Sequence, residues 1–377
     1  VVTRITINRG KRCVDEADRC HNRWHPDIEP AAEVDPGDIV VIETRDALDG
    51  QITANPGVDD VASADLNVVH PLTGPVYVRG AKPGDLLVVE VLDIKAEPFG
   101  FTVAIPGFGF LRDLFDKPYK IRWRIEGGYA FSEDLPNVRI PGDPFLGVMG
   151  VAPSKELLKE IKEREDRLLK RGGFVLPPTP EGAVPPREPV ASEGLRTIPP
   201  RENGGNLDVR HFSPGSKIYF PVFVEGALFS VGDAHYAQGD GEVCGTAIEM
   251  GATATLRFGV ISEGAKKYGI RFPIFKPSES SVRRFTHSKH VAVTGVGVID
   301  SLNESENATL SAKHALLNLI NLLEKAGYTR EQAYLLASVA ADLRLSQLVD
   351  VPNFTVTAFL PLDIFIEPPE VLKKLAE

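Results

Sequence analysis

Cysteine, methionine and tryptophan are all scarce in this chain of 377 residues, at three, two and two. The cysteines, Cys13, Cys20 and Cys244, are odd in number and lack zinc-ligand spacing, which excludes a disulfide-stapled scaffold and a zinc finger. Isolated thiols in a reducing, cytoplasmic compartment are the simplest expectation. An excess of basic charge is also missing, since 42 Lys and Arg face 52 Asp and Glu for a formal net charge of -10. General nucleic-acid and anionic-membrane binders need a basic surface to displace counterions, so neither partner is expected. No apolar run reaches bilayer length, and the opening VVTRITINRG carries no apolar signal core.

What the chain does have is the 43% hydrophobic and 25% charged content of a globular protein, long enough for two or three domains or one large core. Its 30 prolines and 34 glycines punctuate short β-branched runs. Pro36-Gly37-Asp38 opens PGDIVVIETRD and Pro83-Gly84-Asp85 opens PGDLLVVEVLD; Pro214-Gly215 and Pro141-Gly142 precede further apolar runs. Proline followed by glycine suits the centre of a type II turn, so each predicts a strand just beyond it. The fold class expected is mainly β with an α+β C-terminal part, a sandwich or barrel core with a few peripheral helices.

The helices carry clear end signals. Ser154 caps KELLKEIKEREDRLLKR, with Leu157, Leu158, Ile161, Leu168 and Leu169 on one side. Lys313 to Ala326 is leucine-rich and stops at Gly327, and Thr329 with Gln332 forms a capping box for a helix running to about Leu348. Between Leu176 and Arg201 eight prolines preclude regular structure, giving either an arm that wraps a neighbour or a surface loop. The division expected is residues 1–150 as an N-terminal β-rich domain, 151–201 as helix and Pro-rich arm, and 202–377 as a β-rich catalytic half with C-terminal helices.

The densest chemistry lies in FSVGDAHYAQGDGEVCGTAIEM, residues 229–250. Asp233 and His235 alternate as strand neighbours on one face, as do Asp240 and Glu242, with Gln238 between and glycines able to bend the segment. Carboxylates beside glycines are ordinarily solvated turn residues. Here apolar runs bound the stretch on both sides, which favours a shared pocket. Asp46 follows the Pro36 strand, with Gly50 and Gln51 beyond, and His70 follows Val68-Val69. ENGGNLD offers Asn206, Asp208 and the backbone N–H groups of Gly204-Gly205. HNRWHPDIEP, residues 21–30, reads as an anchor on a partner subunit.

Taken together, HNRWHPDI, GDIVVIETRDALDGQI, LTGPVYVRGAKPGDLLVVEVLDI, ENGGNLD, GALFSVGDAHYAQGDGEVCGTAIE and VPNFTVTAFLPLDIF resemble successive blocks of the acetamidase/formamidase family, from about residue 20 to about 366. The HNRWHPDI start is similar to the formamidase branch. The resemblance implies hydrolysis of a small aliphatic amide to carboxylate and ammonia, on a largely β fold, in a homo-oligomer. Asp46, Gly50, Gln51, His70, Asn206, Asp208, Asp233, His235, Gln238, Asp240 and Glu242 match the family's blocks.

An amide carbonyl is a poor electrophile and ammonia a poor leaving group, so such a site must polarise oxygen, activate a nucleophile and protonate nitrogen. A divalent metal, zinc or alternatively calcium, held by Asp46, His70, Asp233 and His235 would serve, with Glu242 as base and acid and with Asp240 and Gln238 orienting water or the NH2 group. Cys244 is the nucleophile of the covalent alternative. The alternative from another class is a non-catalytic β-sandwich binding a small polar ligand or structural calcium at the same cluster.

Overall fold

The computed structural model describes residues 1–377. Fifteen strands join in one branched sheet, whose spine includes Leu86–Ala104, Glu249–Ile261, Phe229–His235 and Phe145–Gly150 in that order. A second, three-stranded sheet of His290–Val296, Thr355–Pro361 and Asp342–Gln347 forms the α+β C-terminal part with helix Ala308–Lys325. The expected mainly β architecture with few helices is the one found.

Each strand follows from its local sequence. Gly37, Gly84 and Gly215 adopt φ of 96°, 96° and 95°, the left-handed geometry that a type II turn asks of its third residue. The strands Ile39–Thr44, Leu86–Ala104 and Lys217–Pro221 begin two residues later. Ile39–Thr44 alternates half-buried and buried side chains along its length. Leu86–Ala104 and Glu249–Ile261 run antiparallel through twelve paired positions, with bulges at Met250/Ala252 and Thr255/Leu256 that bend the ladder. The central strand Phe229–His235 is buried at every position, because Phe145–Gly150 and Leu72–Val78 both pair with it. One cluster of 63 buried apolar residues runs from Ile5 to Leu372, so the segments before residue 150 and after residue 202 share a core.

Ser154 accepts from the Leu157 N–H at 3.1 Å, and the helix spans Lys155–Lys170. It buries only Leu158 and Ile161; Leu168 folds over the Gly172-Gly173 turn and Leu169 is exposed, so the apolar stripe is shorter than its sequence suggests. The Thr329–Gln332 box makes both its bonds, at 3.0 and 3.1 Å. Its helix ends at Ala340 and not near Leu348, because Asp342–Gln347 peels off to pair with Thr355–Pro361. The helix in between is buried from Ala333 to Ala340 and supports the loop after the central strand. Tyr334 Oη donates to the Val243 carbonyl at 2.7 Å, and Ser338 Oγ donates to the Thr246 carbonyl at 2.6 Å.

Three expectations are corrected. The residues of HNRWHPDIEP expected to anchor a partner subunit, Arg23, Trp24 and His25, are instead buried within their own chain. The Pro-rich segment folds over them, with Leu195-Arg196 pairing Arg23-Trp24 and Arg23 donating to the Thr179 carbonyl at 3.1 Å. Cys13 and Cys20 are joined in a disulfide, seven residues apart, so the step from isolated thiols to a reducing compartment falls away. Only Cys244 is free, and it is buried. No helix is long and apolar enough to cross a membrane.

The disulfide closes a short loop that also packs against Val184 of the Pro-rich segment. Loop closure of this length is worth about 2–3 kcal/mol. A Cys13→Ser/Cys20→Ser variant is therefore expected to unfold several degrees below the parent in a thermal scan; equal midpoints would show that the core alone fixes residues 13–20.

Candidate active site

The sheet delivers five ionisable side chains to one end of a cavity of about 400 Å³. Asp233 and His235 leave the central strand, Glu249 opens the strand that pairs with it, Glu242 comes from the intervening loop, and Asp208 from the turn after Gly204–Asn206. Asp208, Asp233 and Glu242 all have left-handed backbones, with φ of 48°, 53° and 43°. Non-glycine residues adopt this geometry at a cost, and it gathers at functional sites. At Asp233 the ladder with Phe145–Gly150 skips a pair, and Gly147 lies opposite. A Cβ on Gly147 would stand 2.6 Å from Asp208 Oδ1 and 2.7 Å from Asp233 Oδ2, so only glycine lets both carboxylates pack there.

His235 stands at the centre. Its Nε2 lies 3.1 Å from Asp233 Oδ1, 3.1 Å from Glu249 Oε2 and 3.9 Å from Glu242 Oε1. Its Nδ1 lies 3.0 Å from Gln238 Oε1, while Gln238 Nε2 donates to the Asp208 carbonyl at 2.9 Å. Because that carbonyl accepts only, the Gln238 amide must present its oxygen to the ring, which places a proton on Nδ1 and leaves Nε2 facing the carboxylates. The edge of the ring packs on Phe145, with centroids 4.9 Å apart. His70 is on the far side of Asp233, Nε2 to Oδ2 3.8 Å. Thr197 Oγ1 accepts from the His70 backbone N–H at 2.6 Å and lies 3.0 Å from Nδ1, so it fixes this ring.

Electrostatics divide the cluster. Burial pushes the carboxyls of Glu242 and Glu249 up to about 8, and burial with the charge of Glu242 pushes Asp208 well above the usual range. Burial alone would lower His235, but the Asp233 and Glu249 charges outweigh it and hold the imidazole well above its ordinary value. Burial would likewise raise Asp233, yet the two neighbouring imidazoles hold it low. Two buried oxygens, Asp208 Oδ1 and Glu249 Oε2, have no hydrogen-bond partner; the latter is near His235 without hydrogen-bond geometry. His235 belongs to two sets of potential metal ligands, one with Asp208 and Asp233 and one with Glu242 and Glu249, within which ligand atoms lie no more than 4.8 Å apart.

Of the residues expected from sequence, Asp208, Asp233, His235 and Glu242 meet in the cluster, and His70 and Asn206 join them on the cavity wall. Asn206 Nδ2 donates to the Ile198 carbonyl at 3.1 Å and leaves Oδ1 unpartnered. Gln238 reaches the site through His235. Asp46 does not arrive: it accepts from the Leu48 and Gly50 N–H groups, both at 2.9 Å, and closes its own turn beside a separate hollow. Asp240 turns outward to Arg210 at 3.0 Å, tying the loop down. Gly204 N–H is used by the Arg201 carbonyl and is not free as an oxyanion donor. Cys244 lies outside the cavity, its thiol pushed up to about 11 by burial. Glu249 was not anticipated. Its one signal is an acidic residue interrupting the apolar run from Ala247 to Met250.

The chain matches the model of the family described as the acetamidase/formamidase family over residues 6–367. It is 38% identical over 384 residues to a protein named formamidase from Methylophilus methylotrophus, covering 96% of this chain and 93% of that one. It is 39% identical over 364 residues to a protein named acetamidase from Mycolicibacterium smegmatis, covering 88% of each. Among solved structures, a gamma lactamase from Delftia acidovorans superposes with a TM-score of 0.93 at 37% identity, covering 98% of this chain and 95% of that one. An acetamidase from Bacillus halodurans superposes with a TM-score of 0.55 at 28% identity, covering 96% and 98%.

The raised groups make a signed prediction for the metal-free protein. Glu242 and Glu249 keep their protons in the folded state between the ordinary value of 4.5 and about 8, whereas the unfolded chain has released them. The folded state then binds more protons, and stability falls as pH rises through that window; raised His235 acts in the same direction above 6.5. In EDTA the melting temperature should drop from pH 4.5 towards 8, and Glu249→Gln should flatten the slope. Because buried His21, His70 and His211 are lowered and act in the opposite direction, the deciding result is the comparison: an equal slope in Glu249→Gln and the parent would contradict the buried cluster.

Proposed function

Because the chain belongs to the acetamidase/formamidase family, we propose that it hydrolyses the C–N bond of a small aliphatic amide, formamide and acetamide being the simplest, to the carboxylate and ammonia. The observation that carries this reading is the meeting of two buried carboxylates, Asp233 and Glu249, two half-buried ones, Asp208 and Glu242, and His235 at the end of a cavity. That arrangement can take a proton from water on one side of the amide carbon and return it to nitrogen on the other.

Glu242 suits the proton transfers. Burial pushes its carboxyl up, which favours its acid form more than in water, and it lines the cavity from a loop held by its neighbours. As carboxylate it accepts a proton from the attacking water while the water oxygen bonds to the carbonyl carbon. As acid it then returns that proton to the nitrogen, the C–N bond breaks, and ammonia leaves. Asn206 lines the cavity with its Oδ1 enclosed and unpartnered, and a small turn of the amide would let that oxygen accept from the substrate NH2 group. Gln238 is a positioning residue: it holds the His235 ring and touches no substrate.

We extend the reading to a divalent cation. Four carboxylates cannot all stay ionised without water around one imidazolium, and two of their oxygens lack partners, so the donor set fits a cation. Asp208, Asp233, His235, Glu242 and Glu249 are the candidates to hold it, with Glu242 as ligand or proton carrier in turn. The Gln238 contact to Nδ1 is the outer hydrogen bond that metal-bound histidines commonly make. Imidazole nitrogen among carboxylates favours zinc over calcium. When bound, such an ion would polarise the carbonyl and lower the pKa of water. The edge strand Ile274–Lys276, with Phe272, Ile274 and Phe275 exposed, supports the further proposal that the chain assembles as a homo-oligomer.

Ammonia release from formamide and acetamide tests the assignment. Glu242→Gln is expected to lower kcat by about 100-fold or more, and Glu249→Gln to lose activity together with bound metal in elemental analysis. Cys244→Ala should stay near the parent rate. Loss of activity in Cys244→Ala with retention in Glu242→Gln would replace this scheme with a thiol route. Dialysis against a chelator should abolish turnover, with zinc restoring it; an enzyme that is metal-free and active removes the cation and leaves the carboxylates.

Gly147→Ala is a second test, since its methyl would displace Asp208 or Asp233 by several tenths of an ångström or more. We expect kcat/KM to fall by roughly 100-fold, and the melting temperature to fall as well, since the same methyl would stand 2.9 Å from the Asp233 carbonyl oxygen. An unchanged kcat/KM would mean that the pair is not held in register by this contact.

A further inference from the structure

The cavity is far larger than the simplest amides need. At about 30 Å³ per heavy atom, formamide's three would fill roughly a quarter of its 400 Å³. Its lining is also divided. The carboxylates come from residues 208 and 233–249, whereas Leu48, Leu66, Val69, Ile105, Phe108 and Ile198 come from other segments and supply an apolar wall, interrupted by His70 beside Val69 and by Arg112 at the rim. Leu48, Leu66, Val69 and Ile198 belong to one small hydrophobic cluster with Phe101 and Val103, so part of the wall is backed by a packed core. At the exposed rim the Arg112 guanidinium sits 4.4 Å over the Phe174 ring. Water against such a wall gains little from staying, and an apolar group that displaces it is favoured.

We propose that this wall is an acyl subsite, and that the preferred substrates are primary amides whose acyl group is apolar and larger than acetyl, a branched alkyl or a single saturated ring. The proposal rests on the amidase reading above and specifies its substrate class. Ile198 and Leu66 are the specificity-determining residues. Ile198 lines the cavity with its side chain and accepts from Asn206 Nδ2 with its carbonyl, so it couples the apolar wall to the group that receives the substrate NH2. Leu66 lines the same wall. The amide reacts at the carboxylate end while its acyl group lies against these side chains.

The test measures kcat/KM of the full-length enzyme for acetamide, isobutyramide and cyclohexanecarboxamide. Each additional methylene against the wall should raise kcat/KM about fourfold, so isobutyramide should exceed acetamide by roughly 15-fold and the ring amide should exceed both. Ile198→Phe and Leu66→Phe, made separately, should each lower the ratio of cyclohexanecarboxamide to acetamide kcat/KM at least tenfold, with acetamide turnover showing that the variant has folded. Acetamide preferred over both larger amides, or a ratio unmoved in both variants, overturns the acyl subsite and leaves the amidase reading intact. Failure to hydrolyse any amide overturns the amidase reading and the subsite with it.

Discussion

One imidazole is gathered with four carboxylic acids at the inner end of a cavity, two of the acids buried and two half-buried, and the surrounding structure follows from keeping that arrangement intact. In water the five groups would ignore one another. Buried, each carboxylate needs a proton, a hydrogen-bond donor or a cation. Asp233 is satisfied by two imidazoles, Glu249 in part by the Ala247 N–H at 3.0 Å, and Asp208 and Glu242 by each other. That leaves two oxygens without partners, a cost a folded chain does not carry without a compensating ligand or task.

The scaffold is shaped around this constraint. A central strand with small side chains between two others brings Asp233 and His235 close to Phe145–Gly150, and a glycine opposite Asp233 makes room for a second carboxylate. The bulged ladder of Glu249–Ile261 starts at the site, so its first side chain is as rigid as the sheet. The loop between is irregular but pinned. Gly239 N–H reaches the Ser338 carbonyl at 2.9 Å, Tyr334 and Ser338 bind the loop from the C-terminal helix, and Arg210 joins Asp240 to Asp342. Residues from residue 70 to residue 249 converge because one hydrophobic core underlies both ends of the chain.

Much of this was legible from sequence, for identifiable reasons. Proline-glycine turns, Ser154 and the Thr329–Gln332 box are local signals, and local geometry fulfilled each of them. The cluster of Asp233, His235 and Glu242 was legible because acids and glycines between apolar runs have few places to go. Asp46 was misplaced because a strand-end aspartate followed two and four residues on by free N–H groups satisfies itself. Glu249 was invisible because nothing local marks an acid at the first position of a strand as buried; only pairing across Met250 and Gly100 reveals it. Cys13 and Cys20, open to reading as a metal or redox pair but more simply as isolated thiols, form a disulfide because the chain folds back between them, which a spacing of seven does not show.

Glu242 and Glu249 respond alike to burial, yet the structure gives them different tasks. Glu249 is fixed at the start of a strand, 2% exposed, with one oxygen committed to a backbone N–H. Such a group can hold a cation or an imidazolium but cannot follow a proton from one side of a substrate to the other. Glu242 sits on a loop, partly open to the cavity, beside the Asp208 carboxyl, which burial raises along with it. Glu242 faces the cavity from a loop, whereas Glu249 is locked into the sheet, and that difference in access assigns the proton transfers to Glu242 and the positioning to Glu249.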